Sequence, residues 1–230
     1  MQVGFQLKII ITINTTAPTP TANVYGYAGG GIAFVPAGTD SIAQDTLVIN
    51  WAVKDTIDTT KYNQVYQRIT IPVGGGAPTV LATATIRWDF LFDGVTQYGH
   101  SHTADIAFDP AHKKLVVGGP GNRFISFDLF ASDVTIGSVG YSKANTDNTT
   151  TFGKAITVTP TGQYQSFYTF STNWRKVSIA AADMNGAVAV TKTDIPKASF
   201  AGWYPDTGAY TYTVDGYDCE GAVAYGNDHV

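Results

Sequence analysis

"ADIAFDPAHKKLVVGGPGNRFISFDLF", from Ala104 to Phe130, reads as three short strands separated by two turns. The first strand ends at Asp109-Pro110, where proline removes a backbone donor and fixes its own φ. "KKLVVGG" follows, then a Gly-Pro-Gly turn at Gly119 to Gly121, then "RFISFDLF". Whether this is one local meander or a copy of a repeated unit decides the architecture.

Two later stretches share the layout. "KAITVTPTGQYQSFYTFSTNWRKVSIAAADMNG", from Lys154, has a strand ending at Thr159-Pro160, a Thr-Gly turn, then "QYQSFYTF" and "RKVSIAAAD". "KASFAGWYPDTGAYTYTVDGYDCEGAVAYGND", from Lys197, has a strand reaching Pro205, then Asp-Thr-Gly, "AYTYTV", Asp-Gly and "EGAVAYG". Pro110, Pro160 and Pro205 are spaced by 50 and 45 residues. "GGIAFVPAGT" offers a weaker earlier copy at Pro36, with room for a degenerate copy between. "DVTIGSV" (133–139) and "GAVAVTK" (186–192) would supply fourth strands. A period of this size signals an array of meanders, because a single meander has two apolar faces and cannot bury both alone.

On these residues the chain resembles the small β-propellers, in which a strand, a Pro-Asp-Gly-like turn and two further strands recur. The resemblance covers Ala104 to Phe130 and Lys154 to Val230, and the first hundred residues poorly. It implies about five blades, with the N-terminal strand pairing into the last one. No Trp-Asp or kelch-type Gly-Gly signature recurs: Gly118-Gly119 and Trp88-Asp89 each occur once. The fold expected is all-β, a propeller-like array of antiparallel meanders in a single domain over 1–230. The alternative is a β-sandwich, in one or two domains.

Within that domain, 1–14 is a strand, 15–23 an extended linker and 24–230 the repeated meanders. Val3, Phe5, Leu7, Ile9, Ile11 and Ile13 alternate along one face of the first strand. Pro18 and Pro20 mark the linker. Leu47, Ile49, Trp51 and Val53 are expected to share one apolar face. Ala82, Ala84, Ile86, Trp88, Phe90 and Phe92 are expected to share another. "VSIAAADMNG" could close with a short helix ending at Gly186.

Composition points the same way. There is one glutamate, Glu220, among eighteen acidic residues, and aspartate favours turns where glutamate favours helices. Charged residues make up 14%, well below the usual quarter or so. Lys and Arg are scattered, so no basic stripe exists for nucleic acid. No apolar run reaches the ~18 residues of a membrane span, and no signal peptide is legible at the start. The lone Cys219 excludes an internal disulfide.

Chemical motifs are sparse. His100 and His102 form a His-x-His pair that could chelate a transition metal, but no spaced third ligand accompanies them; no metal and no cofactor is expected. Asn145 to Asn148 and Asp215 to Asp218 are oxygen-rich, yet neither matches a calcium loop. The Gly29–Gly31 and Gly74–Gly76 triplets lack the lysine of a phosphate loop. Asp218 and Glu220 flank Cys219 and would weaken it as a nucleophile. No catalytic residue is nominated. Trp174, read as lying in a turn, and Trp203 and Tyr204 before Pro205 are the candidate contacts for a ligand or partner.

The expected function is a non-enzymatic structural or attachment component of a larger assembly, located in a virion or outside the cell. Low charge with abundant Thr, Gly, Ala and Tyr resembles phage tail, fibre and capsid-decorating proteins. Its partners would be other protein subunits, as a homo-oligomer or as virion neighbours. The alternative is a carbohydrate-binding propeller lectin, with glycans as partners.

Overall fold

The computed structural model describes residues 31–39, 42–72, 74, 76–92, 95–96, 105–119, 123–131, 139–141, 155–170, 173–186 and 190–196. Among them there is no α-helix. Strands β1 (Ile32–Val35), β2 (Thr46–Lys54), β3 (Tyr62–Thr70) and β4 (Val80–Ile86) form one four-stranded antiparallel sheet in chain order. A two-stranded hairpin follows, β5 (Leu91–Phe92) with β6 (Val95–Thr96). The second four-stranded meander is β7 (Ile106–Asp109), β8 (Lys114–Gly119), β9 (Arg123–Asp128) and β10 (Val139–Tyr141). The third is β11 (Ala155–Val158), β12 (Gln163–Phe170), β13 (Asn173–Ala180) and β14 (Thr191–Pro196).

Each meander's first strand stops at a proline. In every case a residue in the left-handed region follows within three positions: Gly38 (φ 85°), Lys113 (φ 56°) and Gly162 (φ 74°). Asp109 closes its turn by accepting the N–H groups of Ala111 (3.0 Å) and His112 (3.2 Å). Thr159 does the same work by accepting from Gln163 N–H at 3.0 Å.

The sheets pack face to face in succession. Leu115 and Val117 of β8 point at the first meander, in a cluster with Val35, Val48, Tyr66, Ile86, Ile125 and Phe127. Val116, between them, points the other way, with Phe124, Ile156, Tyr164, Val177 and Ile179. All three residues of "LVV" are at most 1% exposed, so the middle sheet is covered on both faces. Full burial of each such side chain is worth about 1.5–3 kcal/mol. β1 lies beside β7, and β7 beside β11, so the first strands of successive meanders adjoin.

Polar clasps span the same seams. The Tyr164 hydroxyl on β12 donates to Asp109 Oδ2 at 2.8 Å, and the His112 ring reaches that oxygen at 2.7 Å. Asn185, held at φ 66°, donates its N–H to Tyr141 carbonyl and accepts the Tyr141 N–H on its side chain, each at 2.8 Å.

Several expectations change. The first hundred residues do build a four-stranded meander, and it adjoins the second directly, with no intervening four-stranded copy among the described residues. On β2, Leu47 and Ile49 share a face, but it is Val48, flanked by buried Thr46 and Asn50, that enters the core against the second meander. The strand expected to run to Phe92 breaks after Ile86. There Arg87 pairs with Asp89 (2.9 and 3.0 Å) across a turn, leaving Trp88 half-buried beneath Lys61. The third meander's fourth strand begins at Thr191, later than "GAVAVTK" placed it. The expected helix is a single 3-10 turn at Ala181–Asp183. The N-terminal strand, the linker and the repeat from Lys197 lie outside the described residues.

The seam bond between Asp109 and Tyr164 gives a direct test. Tyr164→Phe keeps the ring against Phe124 but removes one donor from a fully buried carboxylate. It should lower stability by about 1.5–3 kcal/mol, measured by urea unfolding; a change within error would show the bond to be idle.

Candidate functional site

The first sheet exposes apolar side chains on its two edge strands, β1 and β4. In-register partners of antiparallel strands share a face, so Phe34, Leu47, Ile69 and Val80 form one row. Ile32, Ile49, Gln67 and Thr83 form the next. This is the face opposite the core, since Ala33, Val35, Val48 and Tyr66 point at the second meander. Within the rows Ile49 and Ile69 are buried, yet Ile32 is 60% exposed, Phe34 52% and Val80 47%. A lone exposed apolar residue is ordinary; Ile32 and Phe34 form an adjacent exposed pair on edge strand β1, and Val80 stands at the other edge, across buried Ile69. β1 alternates as its sequence demands, with Ala33 and Val35 inward and Ile32 and Phe34 outward.

A second notable place is the point where the three first strands begin. Asp105 precedes β7 and accepts the Ile106 N–H on Oδ1 and the Ile156 N–H of β11 on Oδ2, both at 2.9 Å. Gly31, just before β1, presses so close that an added Cβ would stand 2.1 Å from Asp105 Oδ1 and 2.7 Å from Ile106 N. Only glycine fits there. Burial pushes the Asp105 carboxyl up to about 6, although the two N–H bonds pull it down. Burial, with its bond to Asp109, also drives the Tyr164 phenol far upward and keeps it a donor.

Of the contact and metal candidates singled out from sequence, only Trp174 lies among the described residues. Trp174 lies in strand β13, paired in register with Thr169 and Ile195, not in a turn. Its polar neighbour Arg175 is held by Asp194 of β14 at 2.5 and 2.8 Å, which lets the strand continue. Trp203, Tyr204, His100, His102, Cys219 and both oxygen-rich stretches lie outside the described residues. Among the described residues no group of three His, Cys, Asp or Glu is placed to hold a metal ion. No helix among them is long and apolar enough to cross a membrane. Sequence reasoning met Gly31 only as part of a glycine triplet and gave Asp105 no role. Their only signal was a glycine and an aspartate each standing just before a β-rich stretch.

Asp105 sets a pH dependence. Its folded form holds the proton to higher pH than the unfolded chain, whose carboxyl titrates near 3.8. Stability therefore falls as pH rises from about 4 to about 6. Asp105→Asn lacks this titration, so wild type should lose about 2–3 kcal/mol relative to the variant between pH 4 and pH 7. Urea melts across that range check it, and a constant difference would contradict it. No protein-family model matches the chain, and no curated protein or solved structure is significantly similar to it.

Proposed function

We propose that the chain is a non-enzymatic structural or attachment component of a larger assembly, its meanders arranged as blades of a small propeller. The observation that carries the assembly reading is the outward row of the first sheet, where Ile32, Phe34 and Val80 stand in solvent beside buried Ile49 and Ile69. Such a face is suited to a neighbouring subunit, whose apolar side chains would remove it from water. The propeller reading draws on three successive meanders with adjoining first strands, each ending in a proline turn. The low charged fraction supports a surface made to meet other subunits. Its likeness in composition to phage tail, fibre and decoration proteins extends the proposal to a virion setting.

Light scattering of the purified chain should report a mass well above one subunit. Phe34→Asp together with Ile32→Lys should return it to the monomer without loss of the melting transition. A monomeric wild type at every concentration up to its solubility limit would overturn the proposal.

A further inference from the structure

At the outer end of the seam between the first and second meanders lies a groove of about 360 Å³. It opens on the core side of the first sheet, away from the Phe34 row. Thr46, Arg68 and Thr70 form its floor, with Ile42, Leu81 and Phe130 around them. Arg68 is the unusual member. It occupies a core-facing position of β3, in register with Val48 on one side and Ala82 on the other. A register shift beside it, between Arg68 and Ile69, sets Leu81 at the groove's rim.

Arg68 is only 7% exposed. Its Nη1 donates to the Leu129 carbonyl, and the Phe130 ring centroid stands 5.4 Å from its central carbon. Among the described residues no carboxylate lies within ion-pair distance of it. Asp128 acts on Arg68 only through its field. The Asp128 carboxylate instead accepts the Phe130 N–H at 2.8 Å and stands 3.9 Å from Lys114 Nζ. Burial accordingly weakens the hold of Arg68 on its proton. Among the described residues this buried cation meets one carbonyl acceptor and one aromatic face, and not the planar anion that a guanidinium fork is shaped to receive.

We propose that this groove binds a small carboxylate carried on an apolar body. The carboxylate pairs with the Arg68 guanidinium, and the body lies between Ile42, Leu81 and Phe130. The Thr46 and Thr70 side chains border the anion's end of the groove. Its volume stands near the small end of ligand pockets, which suits one ring or a short aliphatic chain. The inference is independent of the assembly reading, because the two sites occupy opposite faces of the first sheet.

The test is calorimetric titration of the whole chain with phenylacetate and with hexanoate, using 2-phenylethanol as the uncharged control. Saturable one-to-one binding of either carboxylate is expected, at least about ten-fold tighter than the alcohol, the worth of a charge-assisted hydrogen bond. Arg68→Met should abolish the preference for the carboxylate. Because Arg68 is buried, Leu81→Glu provides a second variant that does not depend on it. Leu81 is 53% exposed, so the fold should survive, while a like charge at the rim should weaken carboxylate binding at least about ten-fold. Three results would each overturn the proposal: no saturation by either acid at about 10 mM, equal affinity for the alcohol, or unchanged binding by folded Leu81→Glu protein.

Discussion

The structure rests on a middle sheet that is buried on both of its faces. A strand with one face in water alternates apolar and polar residues. Strand β8 cannot, because Leu115 and Val117 serve one interface and Val116 the other. The neighbouring strand β9 obeys the same demand, with Ile125 and Phe127 toward the first meander and Phe124 toward the third. Neither outer sheet could bury its core face without this shared partner. That places the second meander at the centre of the energetics, although it is no longer than the others. A two-sheet sandwich would give each sheet a single covered face, and the three successive layers differ from it in this respect.

Apolar contact alone would leave the sheets free to slide. The polar bonds that cross the seams remove that freedom, since each needs its two partners in register. Asp109 with Tyr164, Asp105 with the Ile156 amide, and Asn185 with Tyr141 tie the second meander to the third at separate points. Arg68 with the Leu129 carbonyl ties it to the first. Buried polar bonds of this kind add modest net stability but fix one arrangement over others.

Much of this could be read from the chain. Pro110 and Pro160 mark strand ends because proline cannot donate to a ladder. What stayed hidden has physical causes. The first meander was obscured by its longer hairpin connections, which blur the spacing between strands. The face of β2 turned to the second meander was hidden because Thr46 and Asn50 flank Val48 there, where a hydrophobic pattern looks for Leu and Ile. Trp174 looked like a turn residue between Asn173 and Arg175. A partner on the next strand, Asp194, neutralises that polarity, and no local pattern can reveal it. Arg68 carried one faint signal, a cation in phase with Tyr66 and Thr70 on a strand otherwise committed to burial. The outward Ile32 and Phe34 alternate as any half-buried strand would, so sequence alone could not say which side faced water.

Within each four-stranded sheet, hydrogen-bonded strands are also consecutive in the chain. No described strand must thread between two that already exist, so loop closure at each step stays small. A chain leaving the ribosome can therefore finish its first sheet before the second is synthesised. During that interval Val48, Tyr66 and Ile86 face water, waiting for Leu115 and Phe127 to arrive. The nascent protein thus passes through a stage in which its stickiest surface is the one later hidden most completely, and rapid completion of the second meander is what ends that exposure.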